Sequence, residues 1–130
     1  MIEGGWIMYQ FWGQQILCNM SGLSDVNLND TDYLISLLRK SVVMAEATLV
    51  EVICHRFSPE GATIIAVLKE SHVAIHTYPE HNALFFDAFT CGTTANPEKI
   101  AQIFIDFLKP NQFTLKTLIR SLSEIREKSS

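Results

Sequence analysis

Between Thr48 and Thr90 the chain strings together four apolar, β-branched stretches separated by gaps too short for anything but turns. Thr48 to Phe57, Ala62 to Leu68, His72 to Tyr78 and Ala83 to Thr90 each read as a strand. Ser58-Pro59-Glu60-Gly61 supplies a turn between the first two, and Pro79 stops the third. Strands joined this tightly pair antiparallel, because a parallel pair needs a crossover of a dozen or more residues. Ala62 to Leu68 is apolar enough to lie in the middle of a sheet.

The rest of the chain adds helices and outer strands. Gln14 to Met20 reads as a strand, and Ser21 to Asn29 is rich in turn residues. Asp30 or Thr31 caps a helix running to about Ala47, with Leu34, Leu37, Leu38 and Ser41 or Val42 on one face. Asn96-Pro97 opens a second helix whose core face is Ile100, Ile103, Phe104, Phe107 and Leu108, and Pro110-Asn111 ends it. Phe113 to Leu122 reads as a last strand, with a helix from Lys116 as the alternative. Residues 1–12 are an apolar lead-in without a clear period, and the polar tail from Glu124 is expected to fray. The sum is an α+β fold, 1–130 as a single domain: a two-layer sandwich of one mainly antiparallel sheet with both helices on one face. The strands look too apolar for their second face to meet water, so a partner subunit is expected to cover it.

Composition narrows the function. A net charge of -4 argues against nucleic acid, which demands a basic surface. Three cysteines, Cys18, Cys54 and Cys91, have neither disulfide-framework nor zinc-knuckle spacing and point to a reducing compartment. No basic segment precedes an apolar run at the start, and no apolar stretch is long enough to span a bilayer. The expectation is a soluble cytoplasmic protein without nucleic-acid or membrane partners.

The chemistry sits in Lys69-Glu70-Ser71-His72-Val73-Ala74-Ile75-His76-Thr77-Tyr78-Pro79-Glu80 and Thr90-Cys91-Gly92-Thr93-Thr94. These bring hydroxyl, imidazole, carboxylate and thiol together, the groups that attack carbonyls and move protons near neutral pH. Singly, each has a plainer explanation: a turn serine, surface histidines, a core cysteine. A metal site is disfavoured, because His72 and His76 on one strand stand ~13 Å apart at about 3.3 Å per residue. A serine hydrolase lacks its Gly-x-Ser-x-Gly elbow around Ser71. Ser71 and His76 also differ by an odd number, so one straight strand aims them at opposite faces. They meet only if the strand bends sharply or if they come from two chains.

Taken together, Phe57-Ser58-Pro59-Glu60-Gly61-Ala62-Thr63, Glu70-Ser71-His72, His76-Thr77-Tyr78-Pro79-Glu80 and Phe89-Thr90-Cys91-Gly92 resemble the prokaryotic S-adenosylmethionine decarboxylase proenzymes in order and spacing. The resemblance covers most of the chain and implies autocatalytic serinolysis between Glu70 and Ser71. That would leave residues 1–70 as a β chain and 71–130 as an α chain starting with a pyruvoyl group made from Ser71, the Schiff-base carbonyl of catalysis. It implies that His76 abstracts the processing proton and that Thr63 assists processing. Cys91 would return a proton to the substrate carbon, Phe57 would stack on adenine and Glu80 would hold the ribose. It implies a homodimer, two sheets facing each other in an αββα sandwich, with Ser71 and Cys91 from one chain and Phe57, Thr63, His76 and Glu80 from the other. No metal is implied, and the product would feed polyamine (spermidine) synthesis.

The chain departs from the family pattern at three places. Gln15 and Asn19 are amides where the family commonly has a histidine and an acid, and Tyr78 replaces a tryptophan. An amide keeps hydrogen bonding but loses charge and proton transfer. Two other readings therefore stand beside the first: a relative that decarboxylates arginine or ornithine, and a non-catalytic, unprocessed homologue.

Overall fold

The computed structural model describes residues 11–69, 71–92 and 95–122. The expectations for the lead-in up to residue 10, for Glu70, for Thr93 and Thr94 and for the tail from Glu124 lie outside the described residues. Six strands and two α-helices follow in the order β1 (Trp12–Ser21), α1 (Thr31–Met44), β2 (Leu49–Arg56), β3 (Ala62–Leu68), β4 (Ser71–Tyr78), β5 (Ala83–Cys91), α2 (Pro97–Leu108) and β6 (Gln112–Ser121). The strands form one sheet in the order β2-β3-β4-β5-β1-β6. Every neighbouring pair is antiparallel. The expected α+β sheet, and β6 as strand rather than helix, are what the chain adopts.

Alternation along each strand divides the sheet into two unlike faces. On one, Ile16, Cys18, Met20, Ile64, Ala66, Leu68, Val73, Ile75, Leu84, Phe86 and Ala88 are buried with both helices. Helix α1 contributes Leu34, Leu37, Leu38 and Val42, and α2 contributes Ile100, Ile103, Phe104 and Leu108. Phe86 and Phe104 meet across this layer with ring centroids 5.4 Å apart. Among the described residues no helix lies on the other face, where Leu17, Ile53, Val67, Phe85 and Leu118 are exposed.

Helix boundaries follow their capping chemistry. The Asp30 carboxylate accepts the Tyr33 N–H at the start of α1. The Asn96 amide oxygen accepts the N–H groups of Glu98 and Lys99 at the start of α2. Helix α1 stops at Met44 rather than Ala47. Glu46 turns into the left-handed region at φ 62, and the Glu46 and Ala47 N–H groups fold back onto the carbonyls of Val43 and Val42. This is a Schellman closure, here without the usual glycine. Phe107, expected on the core face of α2, is 47% exposed, with the Lys40 ammonium 4.4 Å from its ring centroid. Ala101 and Ile105 fill the core in its stead. No helix among the described residues is long and apolar enough to cross a membrane.

One buried side chain ties the register of β3 to that of β4. Thr77 is 4% exposed, and its Oγ1 accepts the Ala62 N–H at 2.8 Å and donates to the Ala62 carbonyl at 3.4 Å. A slip of one residue would turn every side chain to the wrong face, and Thr77 opposes it at the strand end. Thr77→Val keeps the shape and leaves the Ala62 N–H without its acceptor. The expected loss is about 1–3 kcal/mol of stability, read as a lower urea midpoint with an unchanged slope. Thr77→Ser, which retains the hydroxyl, should lose less.

Candidate active site

The register sets Thr63 directly opposite His76 on the helix-free face. Thr63 Oγ1 and His76 Nδ1 are 3.0 Å apart. With the proton on Nδ1, the ring donates to the Thr63 oxygen and keeps the lone pair of Nε2 free to take a proton. The strand ends around this pair enclose a cavity of about 220 Å3 lined by Phe57, Thr63, His76, Tyr78 and Glu80. Four of the residues singled out in the sequence therefore share one recess, although they span residues 57 to 80.

Local chain geometry puts them there. Phe57 opens the β2–β3 connection, where its N–H donates to the Gly61 carbonyl at 2.8 Å. Gly61 makes this turn at φ +96, and a side chain there would press on the Thr77 carbonyl at 3.2 Å. The Asn29 side chain accepts the Gly61 N–H, anchoring the turn to the loop before α1. The Phe57 ring is half exposed, edge-on to His55 at 4.8 Å. Pro79 starts a short 3-10 turn, Pro79–His81, that carries Glu80 past the end of β4 with its carboxylate in solvent.

Ser71 and Cys91 lie at the other end of the sheet. Leu68 pairs with Ser71, so only two positions separate β3 from β4. Ser71, half-buried, is the first residue of β4, and Cys91 is the last of β5. Because β4 and β5 run in opposite directions, with His72 opposite Phe89, these two ends coincide. Five steps of extended chain take Ser71 to His76, ~16 Å at about 3.3 Å per residue. The strand mates of Ser71, namely Val73, Ile75 and Thr77, are buried on the helix side, whereas His76 is on the open side. Within one chain, then, Ser71 and Cys91 are not brought to Phe57, Thr63, His76 and Glu80.

A third group of side chains lies between the two ends, and sequence reasoning missed most of it. His72 Nε2 and Asp87 Oδ2 are 2.9 Å apart, and the His72 ring stacks on Phe89 at 6.4 Å. The Arg120 guanidinium lies over the Phe89 ring, 5.0 Å from its centroid, and its Nη1 donates to Gln15 Oε1 at 3.2 Å. The Phe89 ring in turn packs against Gly13, where an added Cβ would meet ring carbons at 2.3 and 2.4 Å. One available signal was Asp87, a carboxylate inside the otherwise apolar run from Ala83 to Phe89. Among the described residues no three His, Cys, Asp or Glu side chains group as metal ligands.

The three cysteines differ in setting. Cys18 is buried in the helix-side core, and burial pushes its thiol up from 9.0 to about 11. Cys54 is exposed on β2, and Cys91 is partly exposed on β5. Alkylation of the native protein at pH 8 should label Cys54 and spare Cys18 until the chain unfolds, as read by peptide mass. The raised folded value also has a direction: the neutral Cys18 thiol adds stability that is present below about pH 9 and is lost as pH rises through about 11. Cys18→Ala should remove that component from a stability–pH profile.

Comparison with known proteins points one way. A profile described as S-adenosylmethionine decarboxylase matches residues 14–121. The S-adenosylmethionine decarboxylase proenzyme 2 of Bacillus cereus is 36% identical over 117 residues, covering 90% of this chain and 95% of that one. The S-adenosylmethionine decarboxylase proenzyme of Methanococcus maripaludis is 36% identical over 115 residues, covering 88% and 94%. The crystal structure of the adenosylmethionine decarboxylase from Aquifex aeolicus superimposes with a TM-score of 0.79 at 27% identity, over 94% of this chain and 99% of that one.

Proposed function

Since the chain belongs to the S-adenosylmethionine decarboxylase family, we propose that it is a self-processing, pyruvoyl-dependent decarboxylase acting on S-adenosylmethionine. The observation that carries this reading is the division of the site. Phe57, Thr63, His76 and Glu80 line one recess, while Ser71 and Cys91 share the opposite end of the same sheet. A homodimer with the helix-free faces packed together joins the recess of one protomer to the Ser71 end of its partner. The exposed Leu17, Ile53, Val67, Phe85 and Leu118 give that face a reason to be covered. The reading includes a single domain, cleaved into 1–70 and 71–130. The free thiols of Cys18, Cys54 and Cys91 suit the reducing cytoplasm.

Processing begins with the Ser71 hydroxyl. Its Oγ attacks the carbonyl carbon of Glu70; the new Oγ–C bond replaces the amide C–N bond, and the freed Ser71 nitrogen takes the proton. Removal of the Ser71 α-proton then breaks the Oγ–Cβ bond and releases Glu70 with a carboxylate. The dehydroalanine left behind tautomerises to an imine, and water displaces ammonia to give the pyruvoyl group. His76 of the partner subunit is the base for the α-proton, its ring oriented by the hydrogen bond between Nδ1 and Thr63 Oγ1. The start of β4, after a two-position connection and half-exposed, is a fitting place for this group. Once formed, the pyruvoyl carbonyl supplies an electron sink for the charge left when carbon dioxide departs.

The remaining residues bind the substrate and move protons. Phe57 offers a half-exposed ring to adenine, and the Glu80 carboxylate offers two acceptor oxygens to vicinal ribose hydroxyls. Cys91 is the proton donor, a thiol on the open face beside the Ser71 end. Retention of Phe57 and Glu80 in one recess favours an adenosine-bearing substrate over arginine or ornithine.

Intact mass and labelled carbon dioxide test the reading. The 14.7 kDa chain should split into two fragments, and carbon dioxide should leave labelled S-adenosylmethionine in preference to arginine or ornithine. A protein that stays whole after long incubation would refute it. Ser71→Ala should remain full-length, and Cys91→Ala should process while losing most turnover. Co-expression of Ser71→Ala with His76→Ala tests the shared site. Each variant alone should stay uncleaved, whereas mixed dimers should cleave the His76→Ala chain; absence of cleavage in the mixture rules out a site built from two chains.

A further inference from the structure

Arg120 is the least explained charge on the helix-free face. The register pairs Gly13 with Cys91 on one side and with Arg120 on the other, so all three share one cross-strand row. Two strand spacings of about 4.8 Å put the Arg120 and Cys91 backbones ~10 Å apart, within reach of an extended arginine side chain and a small ligand group between them. The guanidinium is not adrift. The face of Phe89 supports it at 5.0 Å and the Gln15 amide oxygen fixes its Nη1 at 3.2 Å.

Both partners are neutral. Orienting a cation with a ring and an amide leaves its charge unmatched and most of its five N–H donors unused. Among the described residues Arg120 pairs with no carboxylate, and the carboxylate of this tier, Asp87, is already taken by His72. The only other cation paired onto this face from β6 is Lys116, opposite Leu17. The result is a preorganised, positively charged fork at the same end of the sheet as Ser71 and Cys91. A fork of this geometry matches a carboxylate through two parallel N–H···O bonds.

We propose that Arg120 binds the α-carboxylate of the substrate and thereby orients the bond that will break. This deepens the decarboxylase reading and rests on it. Gln15 then acts as a positioning residue for Arg120, which gives a use to an amide at a position where charge would have altered the anion site. The contact is one of the ground state: it weakens as the carboxylate becomes neutral carbon dioxide. Its removal therefore raises KM without lowering kcat in proportion.

The test compares Arg120→Ala with the wild type, each first shown by intact mass to be cleaved. KM for S-adenosylmethionine should rise on the order of 10- to 100-fold. The inhibition constant of decarboxylated S-adenosylmethionine, which lacks the carboxylate, should change by less than about 3-fold, the residual expected of a lost uncharged contact. Arg120→Lys should recover part of the lost affinity, having charge but no fork. An unchanged KM overturns the assignment, and so does a parallel weakening of substrate and product. Should Arg120→Ala fail to fold, Arg120→Gln is read by the same substrate-to-product ratio. A wild-type protein that neither splits nor releases carbon dioxide removes the decarboxylase reading itself; a turning-over wild type beside an Arg120→Ala of equal KM removes only the carboxylate assignment.

Discussion

The antiparallel register of β3, β4 and β5 is the constraint from which the rest follows. A sheet offers two faces, and among the described residues the helices cover only one of them. Once Thr77 fixes β4 against β3, the period of two commits Val73 and Ile75 to the core and His72 and His76 to the open side. The same parity sends Thr63 to His76 and Asp87 to His72. Core and site are thus largely two readings of one alternation.

Much of this pattern could be read from the chain itself. The tight spacing of the four stretches between Thr48 and Thr90 required antiparallel pairing, and the apolar period of α1 located its buried face. Boundaries were less accessible. Ala45, Glu46 and Ala47 are good helix formers, yet the chain must reverse to enter β2, and backbone hydrogen bonds at Glu46 and Ala47 end the helix three residues early. Phe107 belongs to the apolar period of α2, but its position turns it toward Lys40 instead of the sheet. β6 was ambiguous because Lys116 to Leu122 suits a helix nearly as well; ten cross-strand pairs with β1 decide for strand.

The candidate site divides in the same way. Thr63, His76, Phe57 and Glu80 lie within 24 positions of one another, and turn chemistry draws them together. The tier built on Phe89 could not be read, since it joins Gln15 to Arg120 across 105 positions through a strand order that follows from the whole fold. Gln15 looked like a lost imidazole when viewed alone. Beside Arg120 it is an acceptor that leaves the guanidinium charge intact. Among the described residues Asn19 has no such partner: it lies opposite Phe85 and Thr114 at the far end of β1, and nothing in these surroundings explains the amide.

The strand order has a mechanical consequence for a chain severed between β3 and β4. The first piece carries β1, β2, β3 and α1, and the second carries β4, β5, α2 and β6. Yet β1 sits between β5 and β6, so a strand of the first piece is clasped on both edges by strands of the second. Separating the halves means unzipping three ladders at once and prising α1 from α2. Cutting the backbone there frees a new terminus without freeing either polypeptide, much as two interlaced hands stay joined after a sleeve between them is snipped.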